Sequence, residues 1–136
     1  MLNLEPWADR LKDAAPCVVD IAADVDEALK SRAFPTVILV PMRERVAHAG
    51  LSGTTRHKVT AEVMLVTAVS RSHRRFAAES RDQLNALRKP LLTQLINWLP
   101  PEADIEVQWT GGELLNLNAQ ALFWVDVMTT EYWWTP

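Results

Sequence analysis

The clearest pattern along the chain is the alternation of apolar and polar side chains over His57–Val69. Successive side chains of a strand point to opposite faces, so a period of two predicts a β-strand. One face carries the apolar set Val59, Ala61, Val63, Leu65, Thr67 and Val69, and the other carries Lys58, Thr60 and Glu62. Beyond Glu62 the second face also becomes apolar, so we expect the far half of this strand to be covered on both sides.

Two more apolar runs predict strands before that segment. Phe34–Pro41 is a β-branched run bounded by two prolines, which is typical of a buried strand. Cys17–Ile21 predicts a short strand. The stretch 42–57 contains two glycines and no sustained period, and we expect a long mobile loop there.

The C-terminal third predicts a return to β structure. Ile105–Trp109 alternates, Gly111-Gly112 is a turn signal, and Leu114–Leu117 would be the partner strand of that hairpin. Ala121–Tyr132 predicts the last strand. Its alternation places Ala121, Phe123, Val125 and Val127 on one face and Leu122, Trp124, Asp126 and Met128 on the other.

Helical spacing occurs in three places. Apolar residues repeat at intervals of three and four over Arg74–Leu99, which predicts the main helix, and Pro90 should kink it or split it in two. Pro6–Ala15 predicts a first helix, and Val25–Ser31 a short second one with Asp24 as its N-cap. The element order indicates an α+β fold: a small antiparallel or mixed sheet with helices packed on it, as one domain over 1–136.

Composition narrows the class of protein. Cys17 is the single cysteine of the 136 residues, which excludes an internal disulfide and a cysteine-based zinc site and favours a reducing cytoplasm. No apolar stretch approaches the roughly 20 residues that cross a bilayer, and the first residues lack the pattern of a secretory signal. We therefore expect no membrane partner.

Charge is segregated along the chain. Residues 1–42 carry a net charge of −3, residues 43–89 a net charge of +6, and residues 90–136 six acidic residues with no Lys or Arg. Such segregation arises from solvated surfaces in some proteins and from complementary binding surfaces in others. The acidic third argues against nucleic acid as the main target.

No combination of residues for catalysis or metal binding emerges. His48, His57 and His73 lack the spacing of a metalloenzyme, and the Gly50–Gly53 stretch is one residue too short for a nucleophile elbow. The acidic residues at 20–27 suit helix capping better than a calcium loop. We expect no enzyme, no cofactor and no metal.

The aromatic inventory instead favours binding to proteins. Six tryptophans are present, and Tyr132, Trp133 and Trp134 lie together at the C-terminal end. Adjacent side chains of a strand point to opposite faces, so at least one of these tryptophans should face solvent or a partner. We assign Tyr132, Trp133 and Trp134, together with Arg71, Arg74 and Arg75, to a subunit interface.

Four segments carry a resemblance to a known family. They are VMLVTAV (63–69), NWLPP (97–101), WTGGELL (109–115) and LFWVDVMTTEY (122–132). In this order they resemble the tail terminator (tail-completion) proteins of tailed phages, particularly those of Mu-like and related tails. Pro90 within the long helix has no match to that pattern.

The resemblance implies a ring of six copies in the virion tail, assembled in the host bacterial cytoplasm. Such a ring caps the tail tube, ends its polymerisation and offers a docking surface to the head. Its partners would be copies of itself, the tube and sheath proteins and neck proteins, without sequence-specific nucleic acid. The family's loop between two strands corresponds to 42–57, so Arg43, Arg45, Arg56 and Lys58 would face the tube or lumen.

Two alternatives remain open at this point. The chain could be another head–tail connector or neck protein. It could also be a small nucleic-acid-binding protein that uses the basic residues of 43–58 and 71–75.

Overall fold

The computed structural model describes residues 1–30, 33–47, 56–71, 76–118 and 120–135. Three helices and five strands follow one another along the chain: α1 (Glu5–Lys12), β1 (Val19–Ile21), α2 (Val25–Ala28), β2 (Thr36–Ala47), β3 (His57–Ser70), α3 (Phe76–Leu95), β4 (Gln108–Leu117) and β5 (Ala121–Trp134). The strands form one sheet in the order β1-β2-β3-β5-β4. β1 is parallel to β2 and every other neighbouring pair is antiparallel, so the predicted α+β fold with a mixed sheet is confirmed.

β3 lies at the centre of this sheet and has the predicted two faces. On the first face, Val59, Val63 and Leu65 are buried in a core that α1 and α3 cover. On the second face, Met64 and Val66 are buried in a smaller core that includes Ala28 of α2. The apolar second face after Glu62 therefore has the cover that its sequence predicted.

α3 is the main helix, and its apolar stripe packs on the first face of the sheet. Leu84, Leu87, Leu91 and Leu95 are all buried there. Pro90 lies inside one continuous helix, so the helix is not split in two there, and the kink that was the other expectation stays a prediction. Both flanking leucines, Leu87 and Leu91, are buried against the sheet, and their packing offsets the hydrogen bond that proline cannot donate.

The main helix is also shorter than the predicted 74–99. It ends at Leu95 because Asn97 adopts φ 66°, the left-handed conformation that closes many helices. The amide of Asn97 then donates to the carbonyl oxygen of Val107 at 2.9 Å, and the chain leaves the helix beside the sheet. Asp24 caps α2 as predicted, since its Oδ1 accepts a hydrogen bond from the Glu27 amide at 2.8 Å.

The predicted loop at 42–57 is wrong at both ends. Met42–Ala47 continues β2, and His57 already belongs to β3. β2 and β3 keep pairing beyond a register shift between Pro41 and Arg43. After this shift Arg43 pairs with Glu62 and Arg45 pairs with Thr60, so the two arginines lie on one face of the sheet. Residues 48–55 of the predicted loop lie outside the described residues.

The Gly111-Gly112 turn is a second correction. Both glycines lie inside β4, and the chain reverses after Leu117, where Asn118 Oδ1 accepts hydrogen bonds from the amides of Gln120 and Ala121. Gly112 is needed for packing, because a Cβ there would lie 2.7 Å from Asp126 Oδ1 on β5. A glycine pair signals close approach as well as a turn, and the pattern alone does not separate the two.

Candidate functional site

Among the described residues, no helix packs over half of the second sheet face. Near α2 this face is apolar, with residues such as Ile38 and Phe123 buried. Toward the other end of the same strands its side chains are charged or aromatic. We call this uncovered half the charged sheet face, formed by Arg43, Arg45, Arg56, Lys58, Glu62, Glu131 and Trp133.

Strand register brings these residues together. Arg43 pairs with Glu62 across β2 and β3, and Lys58 pairs with Trp133 across β3 and β5. All four cations that the sequence assigned to a tube- or lumen-facing loop therefore converge on one surface. Three of the four, however, lie on regular strands that hold their backbones in place, and Arg56 directly precedes β3.

Ion pairs run across the charged sheet face. Glu62 accepts both Arg43, at 3.2 Å, and Arg45, at 3.6 Å. Lys58 pairs with Glu131 at 2.9 Å. Four cationic side chains thus face two carboxylates, which leaves this surface with two excess positive charges.

Trp133 adds an aromatic ring to the charged sheet face, beside Lys58 at the end of the sheet. The guanidinium of Arg56 lies 4.4 Å from its ring centroid, and Lys58 Nζ lies 6.0 Å away, both within cation–π range. Trp133 nevertheless remains 43% exposed. A tryptophan with cations around it and so much open ring resembles the composition of interface hot spots.

Trp134 points to the opposite face of the sheet, as the alternation predicts. It is 48% exposed and lies 5.8 Å from the ring of His57. The two tryptophans therefore offer open aromatic surface on two sides of one sheet end. A single flat contact cannot cover both.

Tyr132 does not share that exposure. Its ring is buried in the larger core, and its hydroxyl donates to Glu44 Oε1 at 2.8 Å. Burial, and then the carboxylate of Glu44, raise the pKa of Tyr132 to about 12. Tyr132 shares its face with Val59 and Met128, so it belongs to the subunit's own core, and the open aromatic surface is that of Trp133 and Trp134.

Arg71 lies far from these tryptophans. Its amide and guanidinium donate to the carbonyl oxygens of Gln120 and Asn118, at the end of β3 opposite Lys58. The 14 residues of β3 span roughly 45 Å at the usual rise of a strand. Arg71 and the tryptophans thus cannot form one patch. Arg74 and Arg75 lie outside the described residues.

Sequence reasoning left out the two carboxylates of the charged sheet face. Glu62 could have been found, because the alternation already placed it on the same face as Lys58. The alternation over Arg43-Glu44-Arg45-Val46 was a similar signal, hidden by the loop expectation. Glu131 offered no signal, because its pairing with Lys58 depends on β5 lying beside β3.

The described part of the chain can also be searched for metal sites, membrane-crossing helices and reactive thiols. Within it, no group of three or more His, Cys, Asp or Glu side chains could hold a metal ion. None of its helices has the length and apolar character to cross a bilayer. Burial raises the pKa of the Cys17 thiol, which disfavours the reactive thiolate.

One comparison with known proteins finds a match. The family model described as "Phage tail terminator protein" matches residues 1–135. No curated protein matches this chain.

Proposed function

This chain belongs to the phage tail terminator family, and from that premise we propose that six copies form a ring on the tail tube. The family makes the chain a structural component of the virion tail that contacts other tail or head proteins. The ring would cap the tube, end its polymerisation and present a docking surface to the head. Assembly would take place in the cytoplasm of the host, and the Mu-like type of tail stays a prediction.

The observation that carries this proposal is the charged sheet face. Strand ends that no described helix covers, with Trp133 open beside the cations, are what a protein partner would cover. Its two excess positive charges favour an acidic partner surface. We propose that Arg43, Arg45, Arg56 and Lys58 face the tube or the ring lumen.

A closed ring needs contacts in which one patch of a copy meets a different patch of the next copy. Trp133 and Trp134, open on opposite faces of one sheet end, offer two separate patches for such contacts. Arg71 is placed for a second contact at the other end of the sheet, to which Arg74 and Arg75 would add charge.

Electron microscopy with native mass measurement tests the ring. We expect six-fold rings of the purified chain, or rings that form once tube protein is added. A chain that stays monomeric at high concentration, with or without tube protein, would contradict the proposal. Rings that bind a head or neck protein but not the tube would favour another neck component.

Binding of nucleic acid is the alternative function that these experiments also test. Exposed aromatic rings and arginines can bind single strands by stacking and charge. Against this, Glu62 and Glu131 lie among the cations and would repel phosphates. Salt-dependent binding of DNA by the isolated chain, with no ring, would favour that reading over the terminator.

A further inference from the structure

β2 has a free edge over half of its length. β1 pairs only with Val37–Leu39, and beyond that point β2 pairs with β3 alone among the described strands. Met42–Ala47 is exposed throughout. Met42 and Val46 are 46% and 60% exposed, so this edge offers apolar surface as well as the guanidinium groups of Arg43 and Arg45. We call Met42–Ala47 the basic edge.

An acidic surface lies at the same level beside the opposite edge of the sheet. One row of residues crosses the strands: Arg45 pairs with Thr60, Thr60 pairs with Glu131, and the carbonyl oxygen of Glu131 accepts a hydrogen bond from the Asp104 amide at 2.7 Å. Three strand spacings, about 14 Å, therefore separate the two surfaces. We call Glu102, Asp104 and Glu106, all exposed, the acidic corner.

The charges of the two surfaces are incompletely compensated within one copy. Arg43 and Arg45 share the single carboxylate of Glu62. Within the described part of the chain, Asp104 and Glu106 make no ion pair, and residues 90–136 contain no Lys or Arg. Leu99, 53% exposed, precedes the acidic corner and gives it an apolar part to match Met42 and Val46.

From this placement we infer that the basic edge of one copy binds the acidic corner of the next copy. The two surfaces lie at opposite edges of one sheet and at the same level. Each copy can therefore bind one neighbour through its basic edge and the other neighbour through its acidic corner. A two-fold dimer through either surface would instead bring like charges together. Head-to-tail contacts of this kind form a ring when the rotation between neighbours closes, and every charged sheet face then lies on the same side.

This inference rests on the proposed ring, and it moves Arg43 and Arg45 from the tube or lumen contact to the contact between neighbouring copies. Arg56 directly precedes the inner strand β3 and Lys58 is its second residue, so both stay available to the tube. The contact is lateral, between neighbours, whereas the tube contact is made by the face itself. The two roles can therefore be separated by substitution.

Charge reversal tests the contact. The first variant carries Arg43→Glu with Arg45→Glu, and the second carries Asp104→Lys with Glu106→Lys. Alone, each variant would bring like charges together at every contact. We expect the concentration at which half of the chains are in rings to rise roughly tenfold or more, because like charges facing each other across an interface are strongly disfavoured.

Mixing supplies the sharper result. In an equimolar mixture, the unchanged basic edge of the second variant meets the unchanged acidic corner of the first. The reversed basic edge of the first variant meets the reversed acidic corner of the second. Native mass spectrometry should then show rings in which the two variants alternate, always with an even number of copies.

Matched controls carry the same charge changes on exposed positions of α3. They are Arg81→Glu with Lys89→Glu, and Glu79→Lys with Asp82→Lys. We expect both to assemble like the unchanged chain. If the variant with Arg43→Glu and Arg45→Glu does not fold, Arg43→Gln with Arg45→Gln replaces it. Its neutral side chains should weaken the ring without adding repulsion.

The outcomes separate the two proposals. If the unchanged chain never forms rings, the proposed function and this contact are both wrong. If it does, rings of either reversed variant at unchanged concentration, or a mixture of two folded variants that stays monomeric, would overturn this contact alone.

Discussion

Arg88 on α3 holds the carboxylate of Asp126 on β5 through two hydrogen bonds. Its Nε lies 2.9 Å from Oδ2 and its Nη2 lies 2.7 Å from Oδ1. Asp126 is fully buried, and the indole N–H of Trp124 donates to the same Oδ1 at 3.2 Å. The guanidinium also lies 5.0 Å from the centroid of the Trp124 ring. This buried charge is thus paired and hydrogen-bonded, and it fastens the main helix to the sheet.

Removing that carboxylate should be costly. Asp126→Ala leaves Arg88 largely buried without a counter-charge, and we expect the free energy of unfolding to fall by about 3–5 kcal/mol. Urea unfolding followed by circular dichroism measures the loss. Asp82→Ala is the matched control, since its pair with Arg81 is exposed and should contribute less than about 1 kcal/mol. Equal losses in the two variants would show that burial does not govern the Arg88–Asp126 pair.

The two glycines of β4 should respond differently to a methyl group. At Gly112 a Cβ would lie 2.7 Å from Asp126 Oδ1 and 3.1 Å from Trp124 Nε1, whereas at Gly111 it would meet nothing within 4 Å. We expect Gly112→Ala to lower the free energy of unfolding by about 1–3 kcal/mol, because the buried pair must shift. Gly111→Ala should be nearly neutral in the same urea experiment. A larger loss at Gly111 would contradict the register of β4 on β5.

Tyr132 should make stability depend on pH at the alkaline end. Its pKa is raised to about 12 in the folded chain, first by burial and then by Glu44, from the ordinary value of 10.0. The unfolded chain therefore loses this proton first. The stabilising contribution is complete below pH 10 and falls by about 2 kcal/mol as the pH rises to about 12.

Two measurements check this dependence. Tyr132 is the single tyrosine of the chain, so the absorbance of tyrosinate reports its ionisation directly. The free energy of unfolding of the unchanged chain, compared with that of Tyr132→Phe across the alkaline range, isolates its contribution to stability. A folded chain whose tyrosine ionises near its ordinary pKa would contradict the buried placement.

The exposed tryptophans should matter for assembly more than for folding. Trp133→Ala with Trp134→Ala removes two rings that are about half exposed, so we expect a folded monomer with weakened ring formation. Thermal melting measures the first property and native mass spectrometry the second. Trp7→Ala is the contrast: Trp7 is fully buried, and its loss should cost about 3–5 kcal/mol of stability. Unfolding of the double variant would place those rings in the core.

The sequence predicted local structure well where a period was sustained. The two faces of β3 and β5 and the buried stripe of α3 follow from alternation and helical spacing, because backbone geometry fixes where successive side chains point. It failed where one residue type suits two conformations. Gly111-Gly112 suits a turn or a close approach, and only the position of Asp126 under Gly112 decides between them.

For the candidate site, too, the sequence predicted some features and only the folded structure showed the others. The sequence identified Arg43, Arg45, Arg56 and Lys58 as a basic group and predicted that at least one of Trp133 and Trp134 faces solvent or a partner. It could not show that Trp133 lies among those cations, because 50 residues separate β3 from β5 and the two strands meet only in the folded sheet. Nor could it show that Tyr132 is buried, since that depends on what packs over its face.

What the sequence determined by itself was therefore the approximate place of the helices and of every strand except β4, the faces of the long strands, and the family to which the segments at 63–69 and 122–132 point. The tertiary structure decided which strands are neighbours, which half of a face lies open, and which charges share a level across the sheet. The row from Arg45 through Thr60 and Glu131 to Asp104 joins four distant parts of the chain. Periodicity acts over a few residues, whereas strand order is set by the packing of the whole core, and the possible partner surfaces follow from that order.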